Sequence, residues 1–493
     1  MYSIKKKSTF SLIAAIFLIT ASLFYLKTTK RRDHDTIPVI FPGTFELNNI
    51  STEEKFLSYL PHSGFHNQRI ELENALLLAT YLNRTLLVPP VMLASPAMPW
   101  SKYDKLYERL LFQSKAGLEH CVSIPSDMPL PAECLNSFRY TNIPWSFFYN
   151  MSEIQQRTVP LLFRDSLSYQ WIYTHLDVTA KDVYFFKDLM PYEYQISDDP
   201  TTDLPLDRFN YRIDLDTLKD IEHRVLHFGS MFGSYRVLAE TPEHQQILRD
   251  IRSSMIFRHP VLSHVTEKIV KKLGGTNQFV GMHIRVGDGI FKLRASIHID
   301  DIFHSLVDQF TDLTLEQVTQ YDPQHDQDRL ESTDYEVVLR SMPVEVNHTK
   351  PIEVHHDTPI ILTKPKTTMH CQDPLDDVTA RFRHTVLYIA TDAPNPRHHP
   401  LLQKLFRVFP CSFVLSDFDK EVKEIQKLQV VEENVRLDSY LIPMLDAMIA
   451  AHGHTFFSTP HSTFSHYIER QLHPIYTGKE VQVIGLEEYL NSQ

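Results

Sequence analysis

Residues 56–90, FLSYLPHSGFHNQRIELENALLLATYLNRTLLVPP, leave this chain few architectures. A short apolar run meets a turn at Gly64, and a helical periodicity starting near Asn67 sets Ile70, Leu77, Leu78, Tyr81 and Leu82 on one face. A turn at Asn83 then opens a second apolar run, closed by Pro89 and Pro90. Two strands joined through a helix lie side by side in parallel, so the unit predicts an α/β sheet covered by helices. Glu71 and Glu73 fall off the apolar stripe, in the first turns, where the helix dipole favours acids for structural reasons.

Two later segments read as strands running into ligand-binding loops. In VGMHIRVGD (280–288) the apolar run stops at Arg285, and Gly287 and Asp288 follow. A guanidinium there can fork onto a diphosphate, and a glycine lets backbone approach a ligand closely. In STPHSTFSHYIER (458–470), Ser462, Thr463 and Ser465 open a helix behind Phe456 and Phe457, where hydroxyls and free amide N–H groups favour an anion. A third strand end, TVLYIA (385–390), leads into Thr391 and Asp392. Ligands of open parallel sheets bind beyond the carboxyl ends of strands, so three such ends predict one crevice, suited to a nucleotide sugar.

At 493 residues the chain exceeds one usual core, and two domains are expected. A net charge of −12 argues against general nucleic-acid binding. Residues 8–26, STFSLIAAIFLITASLFYL, carry no charge and are long enough to span a bilayer, between Lys5-Lys6-Lys7 and the basic Lys27, Lys30, Arg31 and Arg32. The expected order is a cytosolic tail (1–7), a transmembrane anchor (8–26), a stem (27–50), a first domain (51–265) and a second domain (266–493) with a partly disordered acidic insertion at 314–380. A cleaved signal peptide is the competing reading of the amino terminus. Sequons at Asn49, Asn83, Asn150 and Asn347 favour a lumenal body, hence a single-pass type II protein of the endoplasmic reticulum or Golgi. Four cysteines without Cys-x-x-Cys spacing make zinc improbable; one or two disulfides, with Cys121–Cys134 closing a proline-rich loop, stand beside four free thiols as alternatives. Trp100, Trp145 and Phe147-Phe148-Tyr149 either line an acceptor groove or pack the core.

HNQR after Gly-Phe, LNRTLLVPP, HIRVGD and STFS, in this order, resemble the GDP-fucose O-fucosyltransferase family, especially its fungal-type members, as does LHFGS (226–230). The resemblance implies a GT-B-like pair of facing Rossmann-like domains, the second holding GDP-fucose, and transfer of fucose to a Ser/Thr hydroxyl of a secretory-pathway protein, inverting and without metal or cofactor. Transfer to a glycan or cell-wall polysaccharide and non-catalytic GDP-fucose or glycan binding are the alternatives. It implies that Arg285 stabilises the departing phosphate, that His283, Gly287, Asp288, Ser462, Thr463 and Phe464 surround the donor, and that Asp392 accepts from guanine. Asn67 would touch fucose or acceptor, or cap its helix, within a cleft that also includes Gly64, Phe65, His66 and Gly229. One branch of the family has a glutamate base where this chain has Ser63, so Glu71 and His66 are the candidate bases and a base-free mechanism is the leading expectation. The Asp-x-Asp pairs Asp214/Asp216 and Asp417/Asp419 follow no nucleotide-binding pattern, and no metal site is expected.

Overall fold

The computed structural model describes residues 37–39, 51–125, 127–201, 203–287, 289–311, 313–319, 366–372 and 381–491. The expected tail and anchor, nearly all of the stem, most of the insertion, Asp288 and the sequons at Asn49 and Asn347 lie outside them. Among the described residues no helix is long and apolar enough to cross a membrane.

The first parallel sheet contains β1 (Phe56–Tyr59), β2 (Thr85–Val88), β3 (Leu161–Phe163), β4 (Val183–Phe186) and β5 (Val225–Phe228), in the spatial order β3-β2-β1-β5-β4. The second contains β6 (Val280–Ile284), β7 (Leu387–Thr391), β8 (Ser412–Phe413) and β9 (Thr455–Ser458), in the order β8-β7-β6-β9, again all parallel. In each sheet the chain winds outward one way from an early strand and later returns on that strand's other side. Each sheet therefore has a switch point, between β1 and β5 in the first and between β6 and β9 in the second, where loops diverge and leave a crevice.

Helix α1 (Phe65–Tyr81) follows β1 and differs from the expected half-exposed amphipathic helix, because every residue from Gln68 to Ala79 is buried. A helix buried all round must satisfy its polar residues internally. Glu71 and Glu73, expected off the apolar stripe, are accordingly 0% and 5% exposed and paired with basic side chains. The turn before α1 also differs. Gly64 has an ordinary extended backbone, and the left-handed residue is Ser63, with φ +65°. Gly64 caps the helix through its carbonyl, which accepts from Asn67 and Gln68 N–H, so Asn67 is inside the helix and is not its cap.

Two helices carry the chain between the sheets. Helix α2 (Pro242–Ser254) packs on α1, whereas α3 (Pro260–Lys272) packs on α5 (Asp438–Ala451), which covers β6 and β7. Between them in sequence α4 (Gly289–Phe310) leads away from β6. Near its end the chain returns to the first half, where Leu486 and Tyr489 cluster with Leu238. Ile37 and Pro38, inside the expected stem, pair in parallel with Leu428 and Gln429.

Both cysteine pairs are bridged, Cys121 to Cys134 and Cys371 to Cys411. The second bridge and the Thr368 N–H bond to Lys272 O fix residues 366–372, which fall inside the expected disordered insertion, against the second half. Of the aromatics near residue 145, Trp145, Phe148 and Tyr149 are buried around Phe65 and Phe257 and so serve packing.

Candidate active site

At the second switch point, β6 ends in His283, Ile284 and the loop of Arg285 to Gly287. Thr459, just past β9, ties the two strand ends together: its hydroxyl donates to His283 O at 2.8 Å and accepts from Arg285 N–H at 3.0 Å. Across β7, Asp392 Oδ1 accepts from Val286 N–H at 2.7 Å and from Gly287 N–H at 3.1 Å, and Oδ2 lies 3.7 Å from Arg285 Nε. A Cβ on Gly287 would fall 2.8 Å from that carboxylate, which is why glycine stands there. Asp392, expected to accept from guanine, thus holds the arginine loop, with its oxygens turned toward that loop. The guanidinium is 30% exposed over the Phe291 ring, 4.4 Å from its centroid. A charge so placed, backed by a carboxylate and open to solvent, can receive a phosphate.

Beside it, the buried His283 shares a 2.7 Å hydrogen bond between Nδ1 and Ser465 Oγ. Burial, reinforced by Arg285, pushes His283 down to about 3, so the ring is neutral at physiological pH and binds by hydrogen bonding rather than by charge. Ser462 caps the short helix α6 (Thr463–Tyr467), accepting from Ser465 N–H at 3.3 Å. Thr463 lies at the helix start, and Phe464 meets His283 edge-on at 5.0 Å. The hydroxyls of Ser462 and Ser465 are therefore already engaged in building the site.

From the first half, His66 on α1 stacks on Phe464 with ring centroids 3.8 Å apart. Burial drives its pKa well down, with Arg69, His283 and Arg285 adding to the effect, and Nδ1 meets no hydrogen-bond partner among the described residues. An imidazole held neutral in this way has little proton affinity, which argues against His66 as a base. Asn67 is half-buried next to it, and Phe65 packs on Phe148 at 4.6 Å. Glu71 faces away from this crevice, 2.9 Å from His62 Nε2 in the interior. Gly229 follows β5 directly, with its carbonyl accepting from Leu60 N–H and a Cβ position overlapping Asp188.

Several residues of the site carried weaker signals in the sequence. Thr459 is an ordinary residue after a strand. Asp446, whose carboxylate accepts from Tyr388 Oη at 2.5 Å and Thr391 N–H at 3.1 Å and so holds the end of β7, was visible as a lone acid in the apolar run of α5. Burial pushes it up to about 7. A cleft of about 790 Å³, including its open mouth, adjoins the site at Thr463 and is lined also by Arg69, Glu73, Arg252 and Tyr467, among others. Glu73 engages two of its arginines, and Arg285 does not reach it. The strand ends, rather than this cleft, carry the predicted chemistry.

Among the described residues, the one cluster with metal-like spacing is His120, Cys121 and Cys134, whose two sulfurs are bonded to each other. Asp417 is committed to Arg397, at 2.6 Å, and to Val414 N–H. Asp216 pairs with Lys219 on the surface.

A model of the family described as GDP-fucose protein O-fucosyltransferase matches residues 56–473. O-fucosyltransferase 30 of Arabidopsis thaliana is 62% identical over 39 residues, a stretch spanning 8% of this chain and 8% of that relative. Crystal structures of POFUT1 in complex with GDP and with GDP-fucose align over 88% of this chain and 98% of theirs, at 11% identity and TM-scores of 0.37 and 0.38.

Proposed function

The chain belongs to the GDP-fucose protein O-fucosyltransferase family and is a glycosyltransferase, and from that premise we propose that it transfers fucose from GDP-fucose to a Ser or Thr hydroxyl of a secretory-pathway protein. The observation that carries this reading is Arg285 at a switch point, its loop pinned by Asp392 and Thr459 and its neighbourhood closed by the His66–Phe464 stack. As the bond between fucosyl C1 and the β-phosphate oxygen breaks, negative charge grows on GDP. A guanidinium supplies two N–H donors to that charge, in a place shielded on one side by protein. Departure of GDP runs ahead of acceptor attack, the acceptor enters from the opposite face, and the configuration at C1 inverts. The first sheet and its loops (51–265) form the acceptor side and the second (266–493) the donor side of a GT-B-like pair, and no metal or cofactor takes part.

Residues 8–26 anchor the protein as a type II membrane protein of the endoplasmic reticulum or Golgi. Asn83 and Asn150 are both exposed, so protein made through a secretory pathway is expected to lose mass on deglycosylation. Retention of full mass after that treatment would count against a lumenal body.

The deciding experiment is GDP release from GDP-fucose, measured with folded protein domains and with oligosaccharides as acceptors. Stimulation by protein domains supports the reading, whereas stimulation by oligosaccharides alone moves the acceptor to the glycan class. EDTA is expected to leave the rate unchanged. Loss of activity that manganese restores would rule out the metal-free mechanism.

A further inference from the structure

The first switch point holds a constellation that the donor chemistry leaves unused. His62, after β1, is 1% exposed, and its two ring nitrogens face two serines: Nδ1 lies 2.7 Å from Ser63 Oγ and Nε2 lies 2.7 Å from Ser230 Oγ. Glu71 Oε1 lies 2.9 Å from the same Nε2, out of line for a hydrogen bond, while Glu71 Oε2 accepts from His62 N–H at 3.2 Å. A carboxylate this close to Nε2 favours the proton on that nitrogen and leaves Nδ1 as the acceptor of the Ser63 hydroxyl proton. Ser63 keeps its oxygen lone pairs for another partner. It is also a left-handed non-glycine residue, a strained conformation that persists where the surroundings impose it. It lines an open cleft of about 310 Å³, including its mouth, together with His62, Trp100, Tyr192, Phe232 and Arg236. One helical turn further on, His66 meets Phe464 at the donor site.

We propose that this cleft receives the acceptor and that Ser63, His62 and Glu71 form a proton relay for its hydroxyl. The proposal rests on the fucosyl-transfer reading and replaces a base-free acceptor step. The acceptor oxygen donates its lone pair to fucosyl C1 as the C1–phosphate bond breaks and its electron pair leaves with GDP. The acceptor proton passes to Ser63 Oγ while the proton of Ser63 moves to His62 Nδ1. Glu71 stabilises the resulting imidazolium, and the aromatic walls suit the carbon skeleton of a hydroxyl-bearing residue or sugar. Ser63 is the residue that touches substrate; His62 and Glu71 act through it.

The titratable and charged groups around the relay are Glu71 itself, the Arg236 guanidinium, the Tyr59 phenol on the Glu71 side, which burial keeps neutral, and Asp188, which accepts from Ser230 N–H and which burial pushes up to about 6. Asp188 titrates beside the relay, so a pH profile of the wild type alone is ambiguous. The test uses water as the nucleophile and follows GDP release from GDP-fucose against pH, with GDP affinity measured in parallel by calorimetry. Ser63→Ala is expected to slow release roughly a hundredfold, the low end for general-base assistance, with GDP affinity unchanged. His62→Gln, which keeps hydrogen bonding and cannot take up a proton, is expected to slow it similarly and to remove the fall in rate on the acid side. Ser63→Ala at the wild-type rate overturns the proposal. So does a wild-type protein that binds GDP yet hydrolyses no GDP-fucose, because a working relay would also accept the proton of water. Failure to bind GDP would instead sink the donor assignment.

Discussion

Arg285→Ala is expected to lower kcat/KM for fucosyl transfer roughly 10²–10³-fold, about 3–4 kcal/mol, the loss typical for one preorganised donor to a developing negative charge. Stability should stay near wild type. The packing of β6 is carried by Val280, Met282 and Ile284, each at most 1% exposed, while the Arg285 side chain is 30% exposed. Its backbone bond to Thr459 and the Asp392 bonds to Val286 and Gly287 do not need the guanidinium. Arg285→Lys should recover little, since an ammonium gives a point charge where the leaving diphosphate calls for a planar fork. Steady-state kinetics beside a thermal melt checks this. Wild-type turnover in a folded Arg285→Ala protein would remove the loop from the mechanism.

The other large effect concerns stability. Glu73 on α1 accepts from Arg69 Nη1 at 2.8 Å, from Arg252 on α2 at 2.9 Å and from Gln471 Nε2 at 3.3 Å. Burial alone would raise its pKa, but Arg252 and Arg69 outweigh burial and bring it down to about 2. Glu73→Ala leaves two largely buried guanidinium groups without their counter-ion, and removal of one partner from a buried pair costs about 3–5 kcal/mol. Denaturant unfolding should show that loss, with Glu73→Gln intermediate because it keeps hydrogen bonds and drops the charge. The sign of the pH dependence follows from the depressed pKa. The unfolded carboxyl titrates near 4.5, so the stabilisation, about 3 kcal/mol for this shift, is fully present above that pH and is lost as pH falls toward 2. A wild-type acid-unfolding curve that Glu73→Gln leaves unchanged between pH 4.5 and 2 would disprove the assignment.

How much of this could be read from the residues alone depended on the kind of signal. Strands buried on both faces, such as VGMHI and LYIAT, announce themselves as apolar runs, and the polar residue that ends each one is by construction near a sheet's binding edge. Arg285, His283 and Asp392 were legible for that reason. Asp392 nonetheless turned toward the arginine loop, because which backbone N–H groups a turn presents is a three-dimensional property. Helix α1 misled for a different reason. An apolar stripe predicts one buried face, and although Arg69 stands one turn before Glu73, nothing local to the two acids says that His62 and Arg252 will arrive from outside the helix to neutralise the other. Ser63 as the strained residue, rather than its glycine neighbour, was likewise invisible to composition.

Helix α1 also governs how the molecule can move. It touches the C-terminal segment through the His66–Phe464 stack, through Arg69 over the Tyr467 ring at 4.6 Å and through the Glu73–Gln471 bond, three contacts spread along two turns of one rigid rod. A clamshell motion separating the two sheets would have to break all three nearly together and expose a buried ion pair, which makes such a motion costly. The loop of Arg285 to Gly287 is tied to the same frame, by hydrogen bonds to Asp392 and Thr459 and by Val286, which is buried in the core of the second sheet. A donor edge held in this way meets its ligand already ordered, so little conformational entropy is lost when the ligand binds.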